Sequence, residues 1–424
     1  MIIKLIWTIA TVMIIVTGIK LTISLDFIQF NFIKMFKCLK KGNRLLSNLF
    51  LTLGGRIGVG SIAGIALAIY LGGPGTVFWI WIISFLGAAN TFGETILGLK
   101  YHEKDEEFYR GGPPYYIKKG LKNKHLSLIY AIMILISYVG GFIGIQANTI
   151  VKAINGVNHI SPIMLGIILT VIVLIIIWGG IEKITRTTDK LVPFMLIAYL
   201  LCGLFVIIGN INSMPQILKT IIISAFNFDS LLKGFIPALL IGIQRGIFAS
   251  EAGLGTGSIA SSVSDYKNPV INGYVQMLGV YITTLLVCTV TAIMILSFDY
   301  ENVNLADVNG IEITIKAFYH HFGNLGHFIM LLFVLLFSFS TILTSYYYGE
   351  SCLKFIIKPN KTMIKLLKMV CVLVLLIGSI TTSKILWTVI DLQVGLLAII
   401  NVYALSKLNL EIKTTFIDYQ RKKC

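Results

Sequence analysis

Long apolar stretches alternate with short polar connections along the whole chain, and the pattern predicts eleven helices. They centre near Met13, Ala63, Phe85, Leu135, Val171, Ala198, Leu240, Val287, Leu335, Val374 and Ile399. A helix crossing a hydrocarbon layer of about 30 Å needs about 20 apolar residues, because each residue rises about 1.5 Å. The runs are of that order, so the expected fold class is an all-α polytopic membrane protein. The first run, Trp7 to Leu25, is too long for a signal-peptide core and lacks a small-residue cleavage site. It reads as a retained helix.

Composition agrees. Of 424 residues, 56% are apolar and 13% charged, with mean hydropathy +0.86; a soluble chain carries about 25% charged residues. The formal net charge of +16 would suggest nucleic acid in a soluble protein. Here the basic residues lie between the apolar runs, where they orient a membrane protein instead. With the Asp26–Asn48 connection inside, the inner connections and C-terminal tail hold 26 Lys and Arg, against 6 outside. This predicts an external N-terminus, a cytoplasmic C-terminus and a plasma-membrane location, in a prokaryote. The longest outer connection, Asp299 to Gly326, is acidic (Asp299, Glu301, Asp307, Glu312).

The six cysteines are scattered and the six histidines lie in connections or at helix ends. No metal-ligand spacing, no ATP-binding glycine loop and no convergent nucleophile and base appear, so an enzyme, a resident metal and an organic cofactor are not expected. No obligate protein partner is implied.

Two runs are interrupted by glycine at matching places. Gly-x-Gly-Ser-Ile-Ala occurs at Gly58–Ala63 and again at Gly255–Ala260. Each copy begins a set of five predicted spans, and an odd number per set inverts the second. The predicted organisation is therefore 1–48, an N-terminal helix and basic connection; 49–229 and 230–407, two inverted repeats; and 408–424, a tail. Glycine weakens a helix by about 1 kcal/mol relative to alanine. A glycine cluster at membrane depth is tolerated where the opened backbone lines a site, and paired interruptions in two halves are a transporter signature. The same letters match a dinucleotide fingerprint, but no strand or βαβ unit surrounds them.

Arg56, Glu94, Arg245 and Glu251 lie in or near apolar spans, where a charge costs at least about 2.5–3.5 kcal/mol. They are expected to pair or to face a cavity, with Arg56, Arg245 and Glu251 read as gating or structural charges. The ninth span carries Ser338, Ser340, Thr341, Thr344 and Ser345.

At the two glycine motifs the chain resembles the sodium:alanine/glycine symporter family. Further shared motifs are Leu71–Gly75, Gly111–Gly120, Gln146-Ala147-Asn148, Gln276–Val280, Phe339–Leu343, Tyr346–Glu350 and Asp391–Ile399. The resemblance implies a leucine-transporter-type fold, ten core helices in two inverted repeats after one extra helix. It implies sodium-coupled uptake of a small neutral amino acid, alanine or glycine. Gly54, Ile57, Ser340 and Thr341 would hold sodium. Val59, Gly60, Ser61, Gln146, Asn148, Ala252, Gly253, Gly255, Thr256 and Gly257 would surround the substrate. Ser61, Ile143, Ser250 and Thr283 depart from the family's usual polar residues, as do Val394 and Ile400 from its Asn and Pro. Proton coupling, a different amino acid, or a sensor of the same fold are the alternatives.

Overall fold

The computed structural model describes residues 2–105, 108–155, 160–227, 234–263, 268–298, 300, 310–357 and 360–422. Asp299, Glu301 and Asp307 of the acidic connection lie outside this set, as does the 229/230 boundary; Glu312 opens a helix.

In chain order the helices are α1 (Ile2–Ser24), α2 (Phe32–Leu39), α3 (Asn43–Arg56), α4 (Val59–Gly72) and α5 (Thr76–Lys100). A two-stranded antiparallel hairpin follows, β1 (Glu103–Asp105) and β2 (Phe108–Arg110). Next come α6 (Pro113–Lys119), α7 (Lys124–Asn155), α8 (Pro162–Ile177), α9 (Gly180–Gly209) and α10 (Met214–Ala225). The chain continues through α11 (Ile236–Ser250), α12 (Thr256–Ser261), α13 (Pro269–Leu296), α14 (Ile311–Phe322) and α15 (Asn324–Ile356). It ends in α16 (Lys361–Ile380), α17 (Ser383–Lys407) and α18 (Asn409–Arg421).

Every apolar run forms a helix, but not every helix has spanning length. Among the described residues eight helices are long and apolar enough to cross a membrane, or nine with the bent pair α3 and α4 as one. The runs near Val171 and Leu240 form the shorter α8 and α11. Local chemistry sets several boundaries. Asn123 accepts a hydrogen bond from the Leu126 amide, Asn268 accepts from Val270 and Ile271, and Asn360 accepts from Thr362. Each satisfies an amide that a helix N-terminus leaves without a partner. Within α7 and α13, single stretches at Leu135–Phe142 and Ile282–Cys288 widen to π-type turns.

Burial sorts the helices into two layers. α1, α8, α9 and α16 expose broad apolar faces, including Ile9, Val16, Ile167, Phe194, Leu201 and Leu373. Such faces suit lipid as solvent rather than water. α4, α5, α12 and α13 are buried on almost every side, and so are the middle and C-terminal half of α15.

Candidate functional site

The first glycine motif opens the backbone. α3 and α4 meet at a 41° bend, with Ile57 and Gly58 outside helical geometry. A side chain at Gly58 would place its Cβ 2.4 Å from Thr341 Oγ1, so only glycine lets α15 approach this closely. Thr341 Oγ1 lies 2.9 Å from the carbonyl of Gly54, 3.4 Å from that of Gly55 and 3.0 Å from that of Phe337. Ser340 Oγ lies 3.2 Å from the same Gly54 oxygen and 2.9 Å from that of Phe337. Two hydroxyls thus supply two protons to a cluster of carbonyl oxygens that share them. Such an oxygen excess matches the preference of hard cations. Across the break, Gln146 on α7 accepts a hydrogen bond from the Val59 amide at 3.2 Å, capping the start of α4.

The second motif breaks differently. After α11 the backbone turns through left-handed residues Glu251, Gly253 and Gly255 before α12 begins. Glu251 accepts from the hydroxyls of Tyr138 and Thr256 at 2.9 Å each and of Tyr348 at 3.3 Å. Glu94 on α5 accepts from the Gly255 amide at 3.1 Å and from Asn401 Nδ2 at 2.7 Å. Asn401 also donates to the Gly253 carbonyl at 2.9 Å and accepts from Tyr116, and Tyr130 donates to the Leu254 carbonyl. The loop's freed backbone groups are therefore met by side chains of α5, α7 and α17, with Tyr116 of α6 holding Asn401 in place, as a dry environment demands.

The two broken helices lie side by side in opposite senses. The end of α4 meets the start of α11, where a Cβ on Gly72 would lie 3.3 Å from the Pro237 carbonyl. The start of α3 meets the end of α12, where Asn48 Nδ2 donates to the Ser261 carbonyl at 3.0 Å. On the α11 side an aromatic column fills the gap. Tyr138 stacks on Phe142 at 4.3 Å, Phe142 on Phe248 at 4.9 Å, and Phe248 lies 5.2 Å from Trp387. Arg245 covers the Trp387 ring at 4.6 Å and pairs with Asp391 at 2.7 Å. Gly60 lies flat on this column; its Cβ would fall 2.6 Å from Phe248. At the opposite end, a cavity of about 430 Å³ opens between the start of α3, the hairpin and the start of α9, lined by Arg44, Ser47, Lys104, Tyr109, Arg186 and Asp189 among others.

The structure thus brings Gly54, Ser340, Thr341, Gly58, Val59 and Gln146 together, with Ile57 at the bend between them. It does not bring Asn148 to the break. Asn148 donates to the carbonyls of Gly378 and Thr381 and accepts from Ser383, holding the turn from α16 to α17. Ser61 Oγ lies 3.2 Å from the Arg56 carbonyl, and the Ser61 carbonyl accepts from Thr291. Ala252 has its amide 3.3 Å from Ser250 Oγ, and Gly257 packs against the Arg56 guanidinium. The ion partner of Arg245 is Asp391, on another helix, rather than Glu251 six residues along. Asn401, Tyr138 and Phe248 are the neighbours that sequence reasoning missed, and Asp391 is named there only within a family motif and given no role. A lone Asn or Asp inside the last apolar run is the signal that could have flagged two of them.

Comparison with known proteins finds transporters. The amino-acid carrier protein AlsT of Bacillus subtilis is 35% identical over 99% of this chain and 90% of its own length. The probable sodium/glutamine symporter GlnT of the same organism is 34% identical over 96% of this chain and 86% of its own length. The sodium/alanine symporter AgcS of Methanococcus maripaludis is 33% identical over 84% and 80%. A manganese transporter variant from Eremococcus coleocola superposes with a TM-score of 0.56, covering 87% of this chain and 76% of its own, at 14% identity. That last likeness concerns the fold alone. The profile of the sodium:alanine symporter family spans residues 1–424, and the chain belongs to that family of transporters.

Proposed function

We propose that the chain carries a small neutral amino acid, alanine or glycine, into the cell together with sodium by alternating access. The observation that carries this reading is the oxygen cluster at the first break, where the carbonyls of Gly54 and Gly55 meet Ser340 and Thr341 within 3.4 Å. Sodium there would bridge α3 and α15 and so favour the arrangement in which the bend is held against α15. The amino acid would lie between the breaks, beside Val59, Gly60 and the loop 252–257, with Gln146 fixing the start of α4. Phe248 packs against Gly60 with no space for a Cβ between them, which supports a substrate with a small side chain.

Alternating access draws support from the asymmetry of the two ends. The Arg245–Asp391 pair and the aromatic column close one side, while the 430 Å³ cavity opens on the other. With the Lys and Arg bias setting orientation, the open side is cytoplasmic and the N-terminus external. The proposed scaffold is ten core helices in two inverted repeats, 49–229 and 230–407, after the extra helix α1. The proposed partners are the substrate and the bilayer.

Uptake of radiolabelled alanine and glycine into proteoliposomes, with and without an inward sodium gradient, tests the proposal. Sodium-dependent accumulation of either supports it. Accumulation of glutamine alone would overturn the size argument, and uptake indifferent to sodium would overturn the coupling.

A further inference from the structure

We propose that Glu94 binds a proton at the second break, as the compensating charge of a buried cluster that otherwise carries one negative charge too many. The proposal rests on reading the chain as an ion-coupled transporter, and it adds a second ion at a second place.

Fully buried charges among the described residues fall into three groups. Arg245 is matched by Asp391. Arg110 and Glu350 are joined by Asp105 and Lys354, two positive charges with two negative. The third group is Arg56, Glu94 and Glu251, at 2%, 0% and 1% exposure, with both carboxylates in electrostatic reach of the one guanidinium. Two carboxylates against one guanidinium leave a charge of −1. An uncompensated charge withdrawn from water costs several kcal/mol, and membrane depth offers no water to relieve it.

Hydrogen bonding assigns the excess to one residue. Glu251 is surrounded by three hydroxyls, Tyr138, Thr256 and Tyr348, on both of its oxygens. Hydroxyl donors stabilise an anion. Glu251 has three hydroxyls over both oxygens, against two N–H donors on one oxygen of Glu94, so the charge that balances Arg56 is assigned to Glu251. Glu94 is served on Oε1 only, and its Oε2 is buried with no hydrogen-bond partner. The groups facing Glu94 also decide between cations. The Gly255 amide and Asn401 Nδ2 present N–H, while the Asn401 oxygen is turned to Tyr116. A metal cation needs a shell of oxygens, which this donor-rich setting withholds; a proton needs one lone pair. The other titratable groups around the loop are Arg56 from α3, Tyr116 from α6, Tyr130 and Tyr138 from α7, Tyr348 from α15 and Glu251 itself.

The consequence is a neutral carboxylic acid bonded directly to the loop that joins α11 to α12. Infrared absorption of the purified protein at neutral pH reads this without any transport assay. The expected result is a protonated-carboxyl C=O band that shifts in D2O, is lost in Glu94→Gln, weakens in Glu251→Gln because one carboxylate then balances Arg56, and is unchanged by sodium. Gln is the neutral isostere of the acid and keeps the acceptor for Gly255 and Asn401, so this variant should fold. Should it not, Glu94→Asp provides the second arm, because it must move the band rather than leave it in place. Absence of the band, its persistence in Glu94→Gln with no shift in Glu94→Asp, or its appearance only when sodium is removed would each overturn the assignment. Failure of alanine or glycine uptake would leave this result standing and would count against the symport reading alone.

Discussion

The Thr341 hydroxyl has one proton and three carbonyl oxygens within 3.4 Å of it. A cation relieves that competition, whereas a methyl group cannot. Thr341→Val keeps the shape of the side chain and removes the oxygen, and is expected to weaken sodium binding at least tenfold, about 1.4 kcal/mol. Thr341→Ser should stay near wild type. The sodium dependence of alanine binding, followed by calorimetry, checks both, and an unchanged dependence in the valine variant removes Thr341 from the ion site. Sequence reasoning reached Ser340 and Thr341 through the family motif, and the structure sets them on Gly54. It reached Asn148 the same way, yet two residues along a helix turn a side chain about 200° from Gln146. A motif preserves the letters of both residues; only the packing of α16 and α17 decides which of them meets the break.

The element that distinguishes the second break from the first is its left-handed loop. Gly255 has φ +84°, and a Cβ there would sit 2.2 Å from Pro113 Cγ. Left-handed strain of about 1–3 kcal/mol adds to overpacking of a similar size. Gly255→Ala should therefore lower thermal stability by several degrees, whereas Gly140→Ala, with nothing within 4 Å, should leave it nearly unchanged. Equal melting temperatures for the two variants would contradict the loop geometry. The hairpin between α5 and α6 offers a second element-scale test. Burial alone would raise the Asp105 carboxyl, but its hydrogen bond to Arg110 and the charges of Arg110 and Lys354 outweigh burial and hold it below the ordinary range. A depressed carboxylate stabilises the fold above its unfolded value of about 3.9 and loses that contribution as pH falls through the lower folded value. Below about pH 4 the hairpin should loosen from α15, read as faster proteolysis after Lys104, and Asp105→Asn should show the loosened rate already at pH 7. Protection independent of pH in the wild type would sink this account.

On the scale of the whole molecule, hydropathy located a helix at every long apolar run because lipid sorts residues by one property along a line, but it passed over the shorter α2, α6, α10, α14 and α18. The contacts that join distant helices were not legible, since no periodicity links Arg245 to Asp391 across 146 positions. For the same reason a duplicated hexapeptide revealed two breaks but not that one is capped by Gln146 and the other tied to Glu94 and Asn401. The Arg245–Asp391 pair has a mechanical consequence that can be measured. In the proposed cycle it stands on the closed side of the breaks, so it would stabilise the closed arrangement there and contribute nothing once that side opens. Removing one member of a buried pair costs about 3–5 kcal/mol, and a cost borne by one conformation alone shifts the population by two decades or more. On the proposed orientation, Asp391→Asn should thus favour the outward-open form. In a background lacking native cysteines, Val394→Cys lies one turn from Asp391 on the same face of α17 and is buried. Its labelling by a membrane-impermeant thiol reagent added outside should accelerate at least tenfold in Asp391→Asn. Exchanging the charges, Arg245→Asp with Asp391→Arg, should slow it again. Acceleration that survives the exchange would mean that local disruption, rather than the pair, sets access. Equal rates in all three backgrounds would mean that the aromatic column of Tyr138, Phe142, Phe248 and Trp387 closes the outer side unaided.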